Sequence, residues 1–471
     1  MPKPLLLHPD RLFPADPSLR AIARRLYQSI KALPIISPHG HTDPRWFAEN
    51  AAFENASELF IRPDHYVFRM LYSQGISLES LGISRLDGST VEQDPLAIWR
   101  LFAKHYPLFR ATPSQLWLET VFHEVFGLTE RLDSDTAEHY FEVISQKLAT
   151  EAFKPRALLD RFNIEVLATT EGALDSLKYH GAIKGSSIEK RLITTFRPDD
   201  VVDPSRPDFR DNVLKLGELT GEDTHSWAGY LAALRQRRAF FREHGATATD
   251  HGHPTAATAN LSPAESRILF ELCLSGKAGA AQQELFRAQM LTEMAAMSID
   301  DGMVMQLHPG AYRNHNPLVF ERFGRDKGAD MPSATEYVAA LKPLLDKFGN
   351  DPRLNLIVFT LDETSYAREL APLAGHYPCL KLGPAWWFND SPEGMLRFRQ
   401  QVTETAGFYN TVGFNDDTRA FLSIPARHDV ARRIDCRFLA TLISEHRLSE
   451  DDGFELAKAL AYDLAKKAYR L

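Results

Sequence analysis

The feature that most constrains this chain is an alternation of short β-like runs with helix-like stretches, spread over most of its length. The runs fall near 34–38, 165–170, 191–196, 245–250, 302–308, 355–361, 379–383 and 411–415. Between them lie segments with helical periodicity, among them 333–349, 363–374, 392–407 and 427–446. A short apolar run bounded by turn signals reads as a buried strand, and strands alternating with helices read as parallel βαβ units. Eight such units predict an α/β fold, a (β/α)8 TIM-like barrel whose active site sits at the C-terminal strand ends. A doubly wound open sheet is the alternative. No Gly-rich phosphate loop follows the early runs, so its dinucleotide-binding version has little support.

The interval between the first two runs is too long for an ordinary connection. Residues 42–164 carry helical stretches at 92–107, 112–128, 135–150 and 155–162, which predicts a helical subdomain inserted after strand 1 and overhanging the barrel mouth. The expected organisation is an N-terminal helix and first strand in 1–41, the inserted subdomain in 42–164, and the rest of the barrel in 165–471. A second long connection, about 253–300, precedes the fifth strand. The first helix is well signalled: Asp16 can cap it, Pro17 suits its first turn, and Leu19, Ile22, Leu26, Ile30 and Leu33 recur at helical spacing.

Composition narrows the function classes. The formal net charge is −8, an acidic balance that argues against nucleic acid as a partner. No apolar run approaches the roughly 20 residues that span a bilayer, and the N-terminal residues lack a signal-peptide core. Cys273, Cys379 and Cys436 lie too far apart for a zinc knuckle or a disulfide framework. A cytoplasmic protein without membrane or nucleic-acid partners is expected.

Two His-x-His pairs occur, His39-Gly40-His41 and His251-Gly252-His253. With 17 histidines in the chain, roughly 0.6 such pairs arise by chance, so the motif alone is weak. Context favours the first. Residues i and i+2 on an extended backbone share a face, so His39 and His41 leave strand 1 with both rings on one side. Neutral imidazoles and a carboxylate suit zinc in an open catalytic site. Asp417, in Val412-Gly-Phe-Asn-Asp-Asp417 at the end of the eighth run, is the candidate carboxylate, and Asp416 should then point away. The same run could instead be a turn in which Asp417 caps the next helix. Substitution of His253 is expected to leave metal binding nearly intact.

At this point several ordered segments align with one family. They are Ser37-Pro-His-Gly-His41, Asp64-His-Tyr-Val-Phe-Arg69, Thr169-Thr-Glu-Gly-Ala-Leu-Asp175 and Thr195-Phe-Arg-Pro-Asp199. Met305-Gln-Leu-His-Pro-Gly-Ala-Tyr-Arg-Asn314, Trp386-Trp-Phe-Asn389, Asp417-Thr-Arg-Ala-Phe-Leu-Ser423 and Arg427-His428 follow. Over almost its whole length the chain resembles the uronate (glucuronate) isomerases of the amidohydrolase superfamily. The resemblance implies reversible conversion of D-glucuronate to D-fructuronate, and of D-galacturonate to D-tagaturonate.

By the same resemblance His39, His41 and Asp417 match metal ligands. His65, Tyr66, Arg197, His308, Arg313 and Arg419 match polar active-site positions, and Trp386 and Trp387 line the pocket. The chain departs from many members in reading Ser-Pro-His-Gly-His after strand 1, and in one extra residue between Ser423 and Arg427. Binuclear hydrolases of the superfamily carry a strand-4 lysine and a strand-6 histidine. Segment 245–253 has no lysine and 355–363 no histidine, so one divalent ion, zinc, is expected.

Aldose–ketose isomerisation needs a base, an acid and positive charge near the developing enediolate. Asp417, Tyr66 and Arg419 are suitable types, and Arg197 and Arg313 could grip the sugar carboxylate. Each has a plainer reading. Tyr66 could pack at a core edge, Arg197 could pair only with Asp199 or Asp200, His308 could be a satisfied strand-end histidine, and the tryptophans could be packing. A mononuclear hydrolase or deaminase of the same superfamily, and an idle sugar-acid binder, are the competing functions. The expected partners are a hexuronate and further copies of the chain in a homo-oligomer.

Overall fold

Seven of the eight expected strands are present, and they form one parallel sheet. A computed structural model describes residues 3–471. Its strands are β1 (Ile35–Ser37), β2 (Ile164–Gly172), β3 (Leu192–Arg197), β4 (Ala248–His251), β5 (Val304–Leu307), β6 (Ala311–Tyr312), β7 (Met331–Pro332), β8 (Leu356–Val358) and β9 (Leu380–Leu382). The sheet order is β1-β2-β3-β4-β5-β8-β9, with every neighbouring pair parallel. β6 and β7 make a separate antiparallel pair that the sequence did not announce.

The two faces of the curled sheet bury different partners. Alternate strand residues point to opposite faces. Ile36, Val166, Ala168 and Ile193 cluster on one face with Ala465, while Ala248, Val304 and Ile357 join Val412 and Tyr469. The opposite set, including Phe196, Met305, Leu307, Leu356 and Leu382, packs against the helices in the largest core. Tyr469 seals the inner face, donating to Gln306 Oε1 at 2.8 Å and accepting from Asn415 Nδ2 at 2.6 Å.

The run at 411–415 is not a strand, which corrects the expected eighth. Thr411 makes a single parallel bridge to Leu382. Beyond it Gly413 has φ 79° and Asp417 φ 38°, and left-handed residues break the pleat that a ladder needs. A Cβ at Gly413 would lie 2.9 Å from the Leu460 carbonyl oxygen, so the chain turns where only glycine fits. The segment still meets β1 at its far end, where His41 N donates to Thr418 O at 3.1 Å.

Residues 42–164 are largely helical, with helices at Pro95–His105, Pro113–Thr120, Ala137–Leu148 and Pro155–Arg161 close to the expected stretches. Trp99, Phe102, Phe122 and Tyr140 pack there in a core that also takes in Ile35, Ile164 and Leu167. The N-terminal helix Pro17–Ile30 is capped by Asp16, whose carboxylate accepts from Ser18 N and Leu19 N. No helix among the described residues is long and apolar enough to cross a membrane.

Candidate active site

A cleft of about 580 Å³ opens beside the C-terminal ends of the strands, and all of the candidate residues line it. His39 and His41 follow β1. His65 and Tyr66 come from the helix His65–Tyr72, which Asp64 caps by accepting from Tyr66 N at 2.9 Å. Arg197 ends β3, and His308 follows β5. Trp386, Trp387, Asp417 and Arg419 come from the segments after β9.

At the centre two imidazoles face one carboxylate. Asp417 Oδ1 lies 3.5 Å from His39 Nε2 and 3.2 Å from His41 Nε2, and it has no hydrogen-bond partner although it is buried. Asp417 Oδ2 accepts from the Trp386 indole N–H at 2.5 Å. Burial works against ionisation, but the His39 and His41 rings hold the Asp417 carboxyl well below the usual carboxylate range. His41 is pushed down by burial, while His39 is drawn up because Asp417 and Asp250 outweigh burial. Two imidazole nitrogens around an unpartnered carboxylate oxygen fit a divalent ion. Asp416 does point away, to His428 Nε2 at 3.0 Å.

A second layer fixes the rings. His308 stacks on His39 at 4.7 Å and on Phe359 at 3.9 Å, and its Nδ1 meets Asp250 Oδ1 at 2.6 Å. Arg197 runs along the same wall, donating from Nε to Asp199 at 2.8 Å with Nη1 3.4 Å from Asp250. The pairing of Arg197 with Asp199 is thus real, and it leaves further N–H groups of the guanidinium in the cleft. Burial would raise Asp250, yet Arg197 and His308 hold it well below the usual range.

The opposite wall carries the phenol. Tyr66 donates to Asp390 Oδ1 at 3.0 Å and accepts from Phe388 N at 3.0 Å, and Asp390 Oδ2 meets Arg427 Nη1 at 3.0 Å. Burial first, then the Asp390 charge, raises the Tyr66 hydroxyl well above its ordinary value. Burial also pushes His65 down to about 3, so that ring is neutral. Arg313 pairs with Asp330 at 2.7 Å and lies 5.2 Å over the Trp387 ring. Arg419, more exposed, lies 3.3 Å from Asp326.

Asp250, Asp390, Asp326 and Arg427 shape this site without having been assigned a role from sequence. Asp250 stood in plain view in Ala248-Thr-Asp-His251, where strand alternation puts it on the inner face. The partners of Asp390 and Arg427 come from distant segments, and no local spacing discloses them.

The glucuronate isomerase family model matches residues 18–469. This chain belongs to the glucuronate isomerase family. It is 67% identical over 467 residues to a uronate isomerase of Xanthomonas axonopodis pv. citri (strain 306), covering 99% of both chains. Among solved structures it is similar to the glucuronate isomerase of Caulobacter crescentus, with TM-score 0.98, 60% identity, and coverage of 99% of this chain and 98% of that one. It is also similar to the uronate isomerase of Thermotoga maritima, with TM-score 0.91, 28% identity, and coverage of 98% and 99%. The family is an enzyme family.

Proposed function

We propose that this chain is a uronate isomerase that interconverts D-glucuronate and D-fructuronate, and D-galacturonate and D-tagaturonate, by proton transfer through a cis-enediol. Full-length kinship with uronate isomerases supports the reaction. The observation that carries the mechanism is the meeting of Asp417, Tyr66 and Arg419 in one cleft. His39, His41 and Asp417 would hold a single catalytic divalent ion, zinc on the chemistry of the donor set. Bound there, it would supply positive charge to the sugar oxygens.

The remaining steps belong to the side chains. Asp417 takes the proton from C2 of the open-chain aldose and delivers it to C1. Tyr66 gives its proton to O1 and recovers one from O2, so the ketose leaves with the atoms of the aldose. Burial and the Asp390 charge keep the phenol protonated, so that it holds a proton for O1, and positive charge beside the site must make that proton easier to give up. Arg419 places charge beside the same oxygens. Asp417 is a weak base where it stands, so the C2 proton must first be acidified by positive charge at the neighbouring carbonyl. Arg197 and Arg313 grip the sugar carboxylate with N–H groups not committed to Asp199 and Asp330.

The same reading extends to the scaffold. The bridge at Thr411 and the His41–Thr418 hydrogen bond support residues 411–418 as the irregular eighth stave of a closed (β/α)8 barrel. Contribution of His65 and Tyr66 to the cleft supports residues 42–164 as a helical subdomain at its mouth. Three buried free cysteines support a reducing, cytoplasmic setting. Purified protein should convert both D-glucuronate and D-galacturonate, lose activity on chelation and regain it with zinc. Inertness toward both acids after zinc loading would refute the reading.

A further inference from the structure

The second histidine pair lies behind the cleft wall. Thr249 and His251 project from the face of β4 opposite to Ala248 and Asp250, away from the inner cluster. His251 and His253 are 0% and 3% exposed, and with Asp199 they offer ligand atoms that all lie within 4.8 Å of one another. His251 Nε2 is taken by Thr249 Oγ1 at 3.0 Å, whereas its Nδ1 has no partner. Neither ring nitrogen of His253 has a partner. A buried imidazole with both nitrogens unpaired forfeits its hydration, a cost that folded proteins rarely leave uncompensated.

We propose that Asp199, His251 and His253 form a second divalent-cation site, of the nitrogen–oxygen type that zinc favours, separate from the catalytic one. The acids Asp203 and Glu284 lie close enough to His253 to act on it, and Arg287 bridges them. The role is positional. Asp199 also holds Arg197 Nε and accepts from Gly252 N at 3.1 Å, so a cation here would pin the loop after β3 to the end of β4. Gly252 completes the arrangement, since a Cβ there would lie 2.2 Å from Arg197 Nη2. The ion would thereby hold Arg197 at the cleft without touching substrate.

Metal-free protein dialysed against excess zinc should bind two ions per chain. The His39→Asn/His41→Asn protein should keep one, and adding His253→Asn should remove it. Zinc should raise the melting temperature of the double variant but not of the triple one. Wild-type crystals soaked in zinc give a check that needs no variant. Anomalous scattering at the zinc edge should place a second peak beside His251 Nδ1. Loss of all zinc in the His39→Asn/His41→Asn protein, or a filled catalytic site with no peak at His251, would overturn the proposal. A filled site at His251 with none at His39 would refute the catalytic assignment instead.

Discussion

Tyr66 and Asp390, 324 positions apart, share a 3.0 Å hydrogen bond in which the phenol donates and the carboxylate accepts. The bond ties the helix after residue 64 to the segment after β9, and it ends on Arg427 through the second carboxylate oxygen. The phenol's single proton is therefore committed to Asp390, and it must turn off that carboxylate to serve the sugar oxygen. Tyr66→Phe should lower kcat by about 10²–10⁴, the usual range for a general acid–base group, with little change in KM or in circular dichroism. A kcat within a factor of about two of wild type would leave Tyr66 a packing residue.

The two carboxylate-gripping arginines are separable by their surroundings. Arg197 lies between half-buried Asp199 and buried Asp250, so removing it strands two carboxylates and harms folding as well as binding. Arg313 pairs with Asp330 near the cleft edge, with a side chain 30% exposed, and is the cleaner probe. Arg313→Met should cut kcat/KM for glucuronate by about 10–200-fold, the worth of one charge-assisted contact, while narrowing the advantage over glucose. Unchanged discrimination would assign Arg313 a structural role only.

Glu171 makes a pH dependence that is independent of catalysis. Burial raises its pKa to about 7 from an ordinary 4.5, against the opposing hydrogen bonds of Thr194 and Thr169. Between about pH 4.5 and 7 the folded chain keeps this proton while the unfolded chain releases it. Stability thus falls as pH rises through that window, by at most about 3 kcal/mol. Glu171→Gln should flatten the change in urea midpoint between pH 4.5 and 7.5. An equal slope in both proteins would show that another group is responsible.

His39, His41, Arg197 and His308 follow strand ends, where alternation and order along the chain fix direction, whereas His65, Tyr66, Arg313 and Arg419 lie on a helix or in loops and were expected here only through the resemblance to uronate isomerases. His39 and His41 needed only the strand before them. Asp417 is expected to end a regular strand, whereas a left-handed backbone brings it to the cleft. Gly413 and Asp417 each turn the backbone to satisfy contacts with distant segments, and no local pattern records that. The same holds for Asp390, whose partners Tyr66 and Arg427 lie on separate helices. Asp250 differs, since alternation along β4 is enough to set it on the inner face opposite to Thr249 and His251.

The most direct measurement follows the C2 hydrogen. A base that removes a carbon-bound proton can exchange it with solvent before returning it, whereas a migrating hydride cannot. D-Glucuronate carrying deuterium at C2 should lose part of its label over many turnovers in ordinary water, and the recovered aldose and ketose should contain protium at the reacting carbons. Complete retention of deuterium in both sugars, at an undiminished rate in Tyr66→Phe, would contradict proton transfer between Asp417, Tyr66 and the substrate.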